Sequence, residues 1–331
     1  MRNLPKSGSS ANDPRPVDLS IIIVSWNVID LLMDCLDSIL ENSIMLMTPR
    51  EERMRFEVIV VDSASEDDTV DKIRKHFTRV KLFPQTENVG FVRGNNIGIK
   101  EAKGRYILLL NPDTVVLGNA LKDMVDYMED NADVGIVGPY TLNTNGTVQP
   151  TRRRFPTIKT AFFESTWLQP FAPESLLNHY YVRDLPDLAI IDVDWVQGSA
   201  MMIRKEVFDQ IGLLDPGYVM YSEELDFCRR AKDDNWRVVY HCCSQIIHHG
   251  GKSSEQISVQ KHIWFQQSKL RYFHKYHGWM VAQALRIFLL ASYSWQIILE
   301  LIKTILLQKW SMRRKRIADY LRVIRSGLRV T

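Results

Sequence analysis

Cysteine is scarce, with four in 331 residues: Cys35, Cys228, Cys242 and Cys243. None stands at the spacing of a zinc site, and adjacent cysteines rarely bridge each other. A disulfide framework is therefore excluded, and a reduced, cytoplasmic setting is expected. Long apolar runs are missing too. A bilayer span needs roughly 20 consecutive apolar residues, and Arg286, Glu300 and Lys303 interrupt the apolar stretch near the C-terminus, which argues against a transmembrane helix. Residues 1–18 are polar, rich in Pro and Ser and without an apolar core, so they read as a floppy leader and not a signal peptide. There is no internal repeat. An excess of one charge is absent, the net value being +3, and this excludes a nucleic-acid binder along its whole length. The charge is uneven all the same. Lys309, Arg313, Arg314, Lys315, Arg316, Arg322, Arg325 and Arg329 crowd the last segment against one acid, Asp319, and make one end of the molecule basic.

What is present is enough apolar material, 45% of residues, for one large α/β domain or two. Leu19 to Val24, Phe56 to Val61, Val80 to Phe83 and Tyr106 to Leu110 are short, β-branched or aliphatic runs bounded by turn residues, and each reads as a buried strand. Helical periods follow the first two, with Asp30 as the expected cap of the first helix. Alternation of this kind predicts a mixed, mostly parallel central sheet flanked by helices. Past Asp113 it loosens. Val134 to Gly138 and Val193 to Ile203 read as strands and Glu206 to Ile211 as a helix. Thr151 to Asp192 has no period and reads as a variable region over the site. From about Trp279 the chain is helical. Ile317, Tyr320, Leu321, Ile324 and Leu328 share one face there among arginines, which suits an anionic membrane surface, packing on the protein, or a second copy of the chain.

Five clusters carry polar groups that a core does not request. In Asn111-Pro112-Asp113-Thr114 a carboxylate ends a buried strand, at the edge where open parallel sheets bind ligands; a turn with a helix cap is the structural alternative. In Asp62-Ser63-Ala64-Ser65-Glu66-Asp67-Asp68-Thr69, Asp62 holds the same position, while Ser65, Asp67 and Thr69 suit an Asx-turn and a helix cap. The run Asn88 to Gly98 combines glycines with asparagines and suits a sugar or phosphate, although Gly94 and Gly98 are equally explained by tight helix packing. It is neither a P-loop nor a dinucleotide fingerprint. Tyr221-Ser222-Glu223-Glu224-Leu225-Asp226 places three acids within four positions, so that one carboxylate is pushed toward a higher pKa and can act as a general base. A solvated helix start paired with Arg229 and Arg230 is the alternative. Finally His248-His249-Gly250-Gly251-Lys252-Ser253-Ser254 ends an apolar run with an imidazole that can reach a metal or a phosphate.

In this order, Ile-Val-Ser-Trp-Asn, Val-Asp-Ser-Ala-Ser, Asn-Val-Gly-Phe, Leu-Leu-Asn-Pro-Asp-Thr, Tyr-Ser-Glu-Glu-Leu-Asp-Phe-Cys-Arg-Arg and His-His-Gly-Gly-Lys-Ser-Ser resemble the inverting nucleotide-sugar glycosyltransferases of GT-A fold, in particular the bacterial rhamnosyltransferase-like branch. The resemblance covers Leu19 to Ser254. It implies a catalytic domain over 19–275, with a nucleotide half (19–118) and an acceptor half (119–275), then an amphipathic helical extension over 276–331. It implies Glu224, with Glu223 beside it, as the catalytic acids, Glu224 standing where relatives often carry Asp. Donor contacts would come from Ser25, Asn27, Asp62, Asn88, Gly90, Arg93, Asn95, Asn111, Asp113 and Gly198, and acceptor contacts from Trp195 and Asp226. Asp113 and His248 would hold Mg2+ or Mn2+, Asn111 replacing the first acid of the family's D-x-D pattern. The implied partners are a nucleotide-diphosphate sugar, dTDP-rhamnose first, and a glycan or lipid-linked saccharide acceptor, at the inner face of the cell membrane. A second class stays open, a non-catalytic sugar-nucleotide scaffold that recruits an enzyme. A sugar nucleotidyltransferase would need a Gly-rich basic loop after the first strand, and Ser25-Trp26-Asn27 does not supply it.

Overall fold

The computed structural model describes residues 16–45, 54–250, 258–306 and 310–329. Its first half follows from the apolar runs. Strand β1 (Leu19–Ser25), helix α1 (Ile29–Met45), β2 (Phe56–Asp62), α2 (Thr69–His76), β3 (Lys81–Pro84), α3 (Gly90–Glu101) and β4 (Tyr106–Leu110) alternate. The strands pair in parallel in the order β3, β2, β1, β4. Because side chains alternate across a strand, the two faces divide the core. Ile22, Ile59, Val61, Ile107 and Leu109 join the cluster under α3. Ile21, Ile23, Val58, Val60, Leu108 and Leu110 join Leu32, Leu36 and Ile39 of α1 on the other side. Burial on both faces is why these strands show no polar alternation.

The second half comprises β5 (Thr114–Leu117), α4 (Ala120–Asp130), β6 (Val134–Leu142), β7 (Arg152–Arg153), α5 (Ile158–Phe163), α6 (Glu174–Tyr180), β8 (Ile191–Val193), β9 (Trp195–Val196), β10 (Ala200–Arg204), α7 (Lys205–Ile211), α8 (Glu223–Asp233), β11 (Arg237–His248), α9 (Ser258–His277), α10 (Trp279–Leu306) and α11 (Trp310–Ser326). Strand β10 runs antiparallel between β4 and β6, and β11 then pairs parallel with β6. The sheet is mixed and mostly parallel in its first half, flanked by helices, as the alternation predicts. The register of β11 on β6 shifts between His241 and Gln245. Below that bulge β11 pairs with β8, and above it with β5, which brings His248 opposite Thr114.

Several local expectations are corrected. Asp30 lies inside the first turn of α1, and the amide of Ile29 is instead met by Asp67 Oδ2 at 3.2 Å. Asp18 is no part of a floppy leader: its carboxylate accepts from the Arg55 amide at 2.8 Å and pairs with Arg105. Residues 1–15 lie outside the described residues. The segment 151–192 is not irregular throughout, since it holds β7, α5 and α6. Helix α9 begins at Ser258, well before Trp279, and Gly278 (φ +87°) breaks the chain between α9 and α10.

By length and composition Trp279–Thr304 is apolar enough to cross a membrane, with 28% of its apolar window buried. Leu285, Leu289 and Tyr293 on its inner side are buried. Glu300, one of the charges that interrupts the run, is 3% exposed and pairs with Arg313 at 2.9 Å, so the interruption ties α10 to α11.

Candidate functional site

The site forms along the sheet edge where β1, β2 and β4 end and the antiparallel β10 begins. Asn111 follows β4, and its amide donates to Ser199 O at 2.9 Å, locking the β4 exit against the loop before β10. Gly198 of that loop lies over α8: a Cβ there would stand 3.6 Å from Glu224 Cβ and 3.9 Å from its carboxyl carbon. From the other side of Asn111, Asp113 Oδ1 lies 3.3 Å from His248 Nε2. Asp113 and Glu224 are thus joined through Asn111, Ser199 and Gly198 into one wall, although they are 111 positions apart in the chain.

The electrostatics separate the acids. Glu223 and Glu224 are buried, and each has an Oε2 without a hydrogen-bond partner among the described residues. Burial raises both above the ordinary carboxylate value. Glu223 is raised well above it because Glu224's charge adds to the desolvation. For Glu224 burial is opposed by the amides at the start of α8, by the Gly198 amide and by the Arg153 guanidinium. Of two like acids sharing a site, the one with offsetting donors ionises first. Glu223, raised further, is the member of the pair whose charged form is less favoured. Tyr221 and Ser222, ahead of α8, both have left-handed backbone (φ +70° and +62°).

Around His248 the hydrogen bonds orient the ring. Gln149 Nε2 donates to Asn143 Oδ1 at 3.0 Å, which turns Gln149 Oε1 toward His248 Nδ1 at 2.7 Å. An amide oxygen only accepts, so Nδ1 bears hydrogen and Nε2 is the nitrogen turned to the site. Nε2 faces the Asp113 carboxylate, with Asn111 Nδ2 at 3.4 Å. Between that nitrogen and the carboxylate sits either a proton or a cation. Such orientation of an imidazole from behind is how metal-ligating histidines are held. Asn111 Oδ1 is buried without a partner among the described residues, so Asp113, His248 and Asn111 fit a hard divalent cation that completes its shell with ligand oxygens. Among the described residues no three His, Cys, Asp or Glu side chains converge. No sequence pattern marks Gln149, whose role comes from its contact with Asn143 in the turn 143–147.

The remaining candidates divide. Ser25 Oγ and Asp62 Oδ1 are buried and lack partners among the described residues, while Asp62 Oδ2 accepts from the Ser65 amide at 3.1 Å. Both stand at strand ends, ready for a ligand's donors. Ser65 and Asp67 serve the loop: Ser65 Oγ accepts from the Asn27 amide and Asp67 from Thr69. Asn27 Oδ1 accepts from the Glu66 amide. Asn88 Oδ1 accepts from Ser63 Oγ and the Gly90 amide, so it braces the start of α3, beside which Gly90 takes φ +72°. Arg93 is exposed on α3.

Asn95 is 1% exposed, and its Nδ2 donates to Phe91 O within its own helix, so it does not join the donor side. For Gly94 and Gly98 the packing explanation prevails: a Cβ would come within 2.7 Å of Val24 and 2.4 Å of Ile22. Asp226 does not face an acceptor. It is fully buried and is met by Arg230 Nε at 2.9 Å, Lys275 Nζ at 2.6 Å and Tyr276 Oη at 2.9 Å, an internal ion cluster between α8 and α9. Trp195 is buried, its Nε1 donating to Arg154 O. The backbone amide of His249 donates to Asp113 O. Lys252, Ser253 and Ser254 lie outside the described residues.

A mixed sheet flanked by helices, with acids and an imidazole gathered at its strand ends, is the arrangement of the GT-A fold. The model of glycosyl transferase family 2 matches residues 20–212, and the chain belongs to that family. It is 25% identical over 208 residues to the N-acetylglucosaminyl-diphospho-decaprenol L-rhamnosyltransferase of Mycobacterium tuberculosis, covering 60% of this chain and 67% of the relative. It is 25% identical over 193 residues to rhamnosyltransferase WbbL of Escherichia coli, covering 55% of this chain and 69% of that one. Among solved structures, GalNAc-T7 with UDP, GalNAc and Mn2+ superposes with a TM-score of 0.55 at 17% identity, over 79% of this chain and 48% of its own. That likeness shows the fold. This chain spans about half the length of GalNAc-T7.

Proposed function

We propose that the protein transfers a sugar, L-rhamnose from dTDP-rhamnose first among candidates, to a hydroxyl of a lipid-linked diphospho-saccharide with inversion at the anomeric carbon. The observation that carries this reading is the single wall running from His248 and Asp113 through Asn111, Ser199 and Gly198 to Glu224. It sets a buried carboxyl on one side and a cation-fitting set on the other. The donor and acceptor follow the names of the rhamnosyltransferases that the chain resembles.

Glu224 takes the proton of the acceptor hydroxyl as its oxygen bonds to C1 and the bond from C1 to the diphosphate breaks. Its unpartnered Oε2 is the atom available for that proton. Asp62 Oδ1 accepts from an N–H of the base, and the first turn of α3 lies beside it. Asp113, His248 and Asn111 would hold Mg2+ or Mn2+, which neutralises charge on the departing diphosphate when bound. Burial of Glu224 under Gly198 keeps water from competing for its lone pair.

The C-terminal helices suit a lipid surface. On α10, Met280, Ile287, Trp295, Ile298, Leu301 and Ile302 are 46–78% exposed and fall on one side. The exposed Trp167 and Phe171 continue this surface, since Trp167 Nε1 donates to Ser292 Oγ of α10. Arginines of α11 lie alongside, a pairing that favours anionic lipid. Arg313 and Arg316 are excepted because both pair with Glu300.

The test is calorimetric titration with dTDP-rhamnose and UDP-sugars, with and without Mn2+, beside a transfer assay. Asp113→Ala should lose metal-dependent donor binding. Equal donor affinity with and without metal in the wild type would remove the cation from the reading. Donor binding without transfer to any acceptor would favour the scaffold alternative.

A further inference from the structure

Three arginines stand in a row at β7, and their environments differ. Arg152 pairs with Asp187 at 2.7 Å and Arg154 with Asp184 at 2.8 Å. Arg153, between them, has no carboxylate partner among the described residues, and its one hydrogen bond is from Nη1 to the Arg152 carbonyl. Its guanidinium is half-buried among three rings, 4.5 Å from the centroid of Tyr181 and 5.9 Å from those of Tyr180 and Trp195. Glu164 and Glu224 act on this cation through space without a direct ion pair, and a guanidinium drawn from water in that way is an incomplete arrangement.

The place of this cation matters. Arg153 pairs in register with Trp195 on β9, and three residues later Gly198 covers Glu224. The Arg153 charge is felt at Glu224 itself, and the buried Tyr180 senses both. On the segment 151–192 that carries Arg153, the side chains of Phe171 and Leu188 are 73% and 74% exposed. Guanidinium and bare apolar side chains thus share this segment, and the proton acceptor follows on α8. An acceptor with a sugar, an anion and a lipid joined in that order matches all three.

We propose that Arg153 binds the diphosphate that joins the acceptor sugar to its lipid. The rings hold the planar fork rigid, and two parallel N–H groups of a guanidinium match two phosphate oxygens. This rests on the lipid-linked acceptor proposed above, so the test begins with a readout that needs no transfer. Geranyl diphosphate is titrated into the wild type, Arg153→Gln, Arg153→Lys and, as a neighbour that keeps the ring cage, Arg154→Gln. Loss of a charged hydrogen-bonding partner should weaken binding about tenfold to a hundredfold in Arg153→Gln, with a smaller loss in Arg153→Lys and none in Arg154→Gln. dTDP affinity should be unchanged throughout.

In the transfer assay, Arg153→Gln should raise KM for a short prenyl diphospho-N-acetylglucosamine and leave KM for the neutral alkyl glycoside unchanged. Should Arg153→Gln fail to fold, Arg153→Lys supplies the same comparison with the charge kept. Wild-type binding of geranyl diphosphate without transfer to any acceptor would sink the function and spare the arginine. Equal weakening toward neutral and diphospho ligands, a loss confined to dTDP, or a preference for an alkyl glucuronide over geranyl diphosphate would each overturn the assignment.

Discussion

Glu224→Gln and Glu223→Gln should behave as opposites although the two side chains are adjacent. The amide of Gln keeps the volume of Glu224 and can still accept from the Gly198 amide, but it cannot take a proton. A positioned general base contributes about 10²–10⁴ in rate, so kcat should fall by that factor, equivalent to about 2.7–5.5 kcal/mol of barrier. Donor affinity should hold. Glu223→Gln imitates the neutral form that burial and the Glu224 charge favour, so it should retain turnover. The pH profiles follow. In the wild type the acid limb reports ionisation of Glu224, and burial places it above 4.5; in Glu224→Gln that limb should vanish.

Stability carries the opposite sign from the usual acid. A carboxyl raised in the folded state binds its proton more tightly than in the unfolded chain. Its contribution is then complete below the unfolded value and is lost as pH rises through the folded one. Chemical denaturation should find Glu223→Gln matched to wild type at pH 4 and more stable at pH 8, by about 1.4 kcal/mol for each unit of elevation. Equal loss of kcat in both variants, or full turnover in Glu224→Gln, would refute the division of roles.

Asp226→Asn tests the correction on the acceptor side. Removing one charge of a buried ion cluster costs about 3–5 kcal/mol, so the melting temperature should fall sharply while acceptor KM of the folded fraction stays put; a KM change without a stability change would return Asp226 to the acceptor. Gly98→Ala should destabilise by about 1–3 kcal/mol through overpacking, because its Cβ meets Ile22 Cγ2 at 2.4 Å, and urea unfolding reads this directly. Liposome flotation on anionic vesicles should retain the full chain and release a form ending at Gln308. Equal flotation of the two would assign the arginines of α11 to another task.

The nucleotide half was legible because strands buried on both faces leave an unmistakable record: Leu19–Ser25 and Tyr106–Leu110 contain almost nothing polar. The placement of Asp62 and Asp113 at strand ends was legible because a carboxylate closing such a run, or just beyond it, has no packing purpose. Asn95 was misread because an asparagine's donors serve its own helix as readily as a ligand, and composition does not say which. Asp226 was misread for a related reason: its partners Lys275 and Tyr276 are some 50 positions away on a helix whose amphipathic period is blurred by His and Gln. Arg153 and Gln149 left no pattern. Their meaning depends on what the neighbouring side chains do with their own partners.

That missed helix explains how the acids are held. Two consecutive left-handed residues, Tyr221 and Ser222, cost about 1–2 kcal/mol each relative to ordinary backbone, and a turn of this kind persists only when its surroundings fix it. Helix α9 supplies the fixation. Ser268 Oγ donates to Met220 O at 2.8 Å, Phe265 meets the Tyr221 ring edge-on at 5.5 Å, and Arg271 pairs with Asp215 at 3.1 Å. One hydrogen bond to a carbonyl contributes about 0.5–1.5 kcal/mol, so none of these contacts alone outweighs the strain, and together with the Asp226 cluster they do. The turn leads directly into α8, whose Glu224 lies beside Gly198. Helix α9 is therefore as much a part of the site as the strand that bears Asp113, although the contacts that fix the turn come from Phe265, Ser268 and Arg271 and none of them touches Glu224.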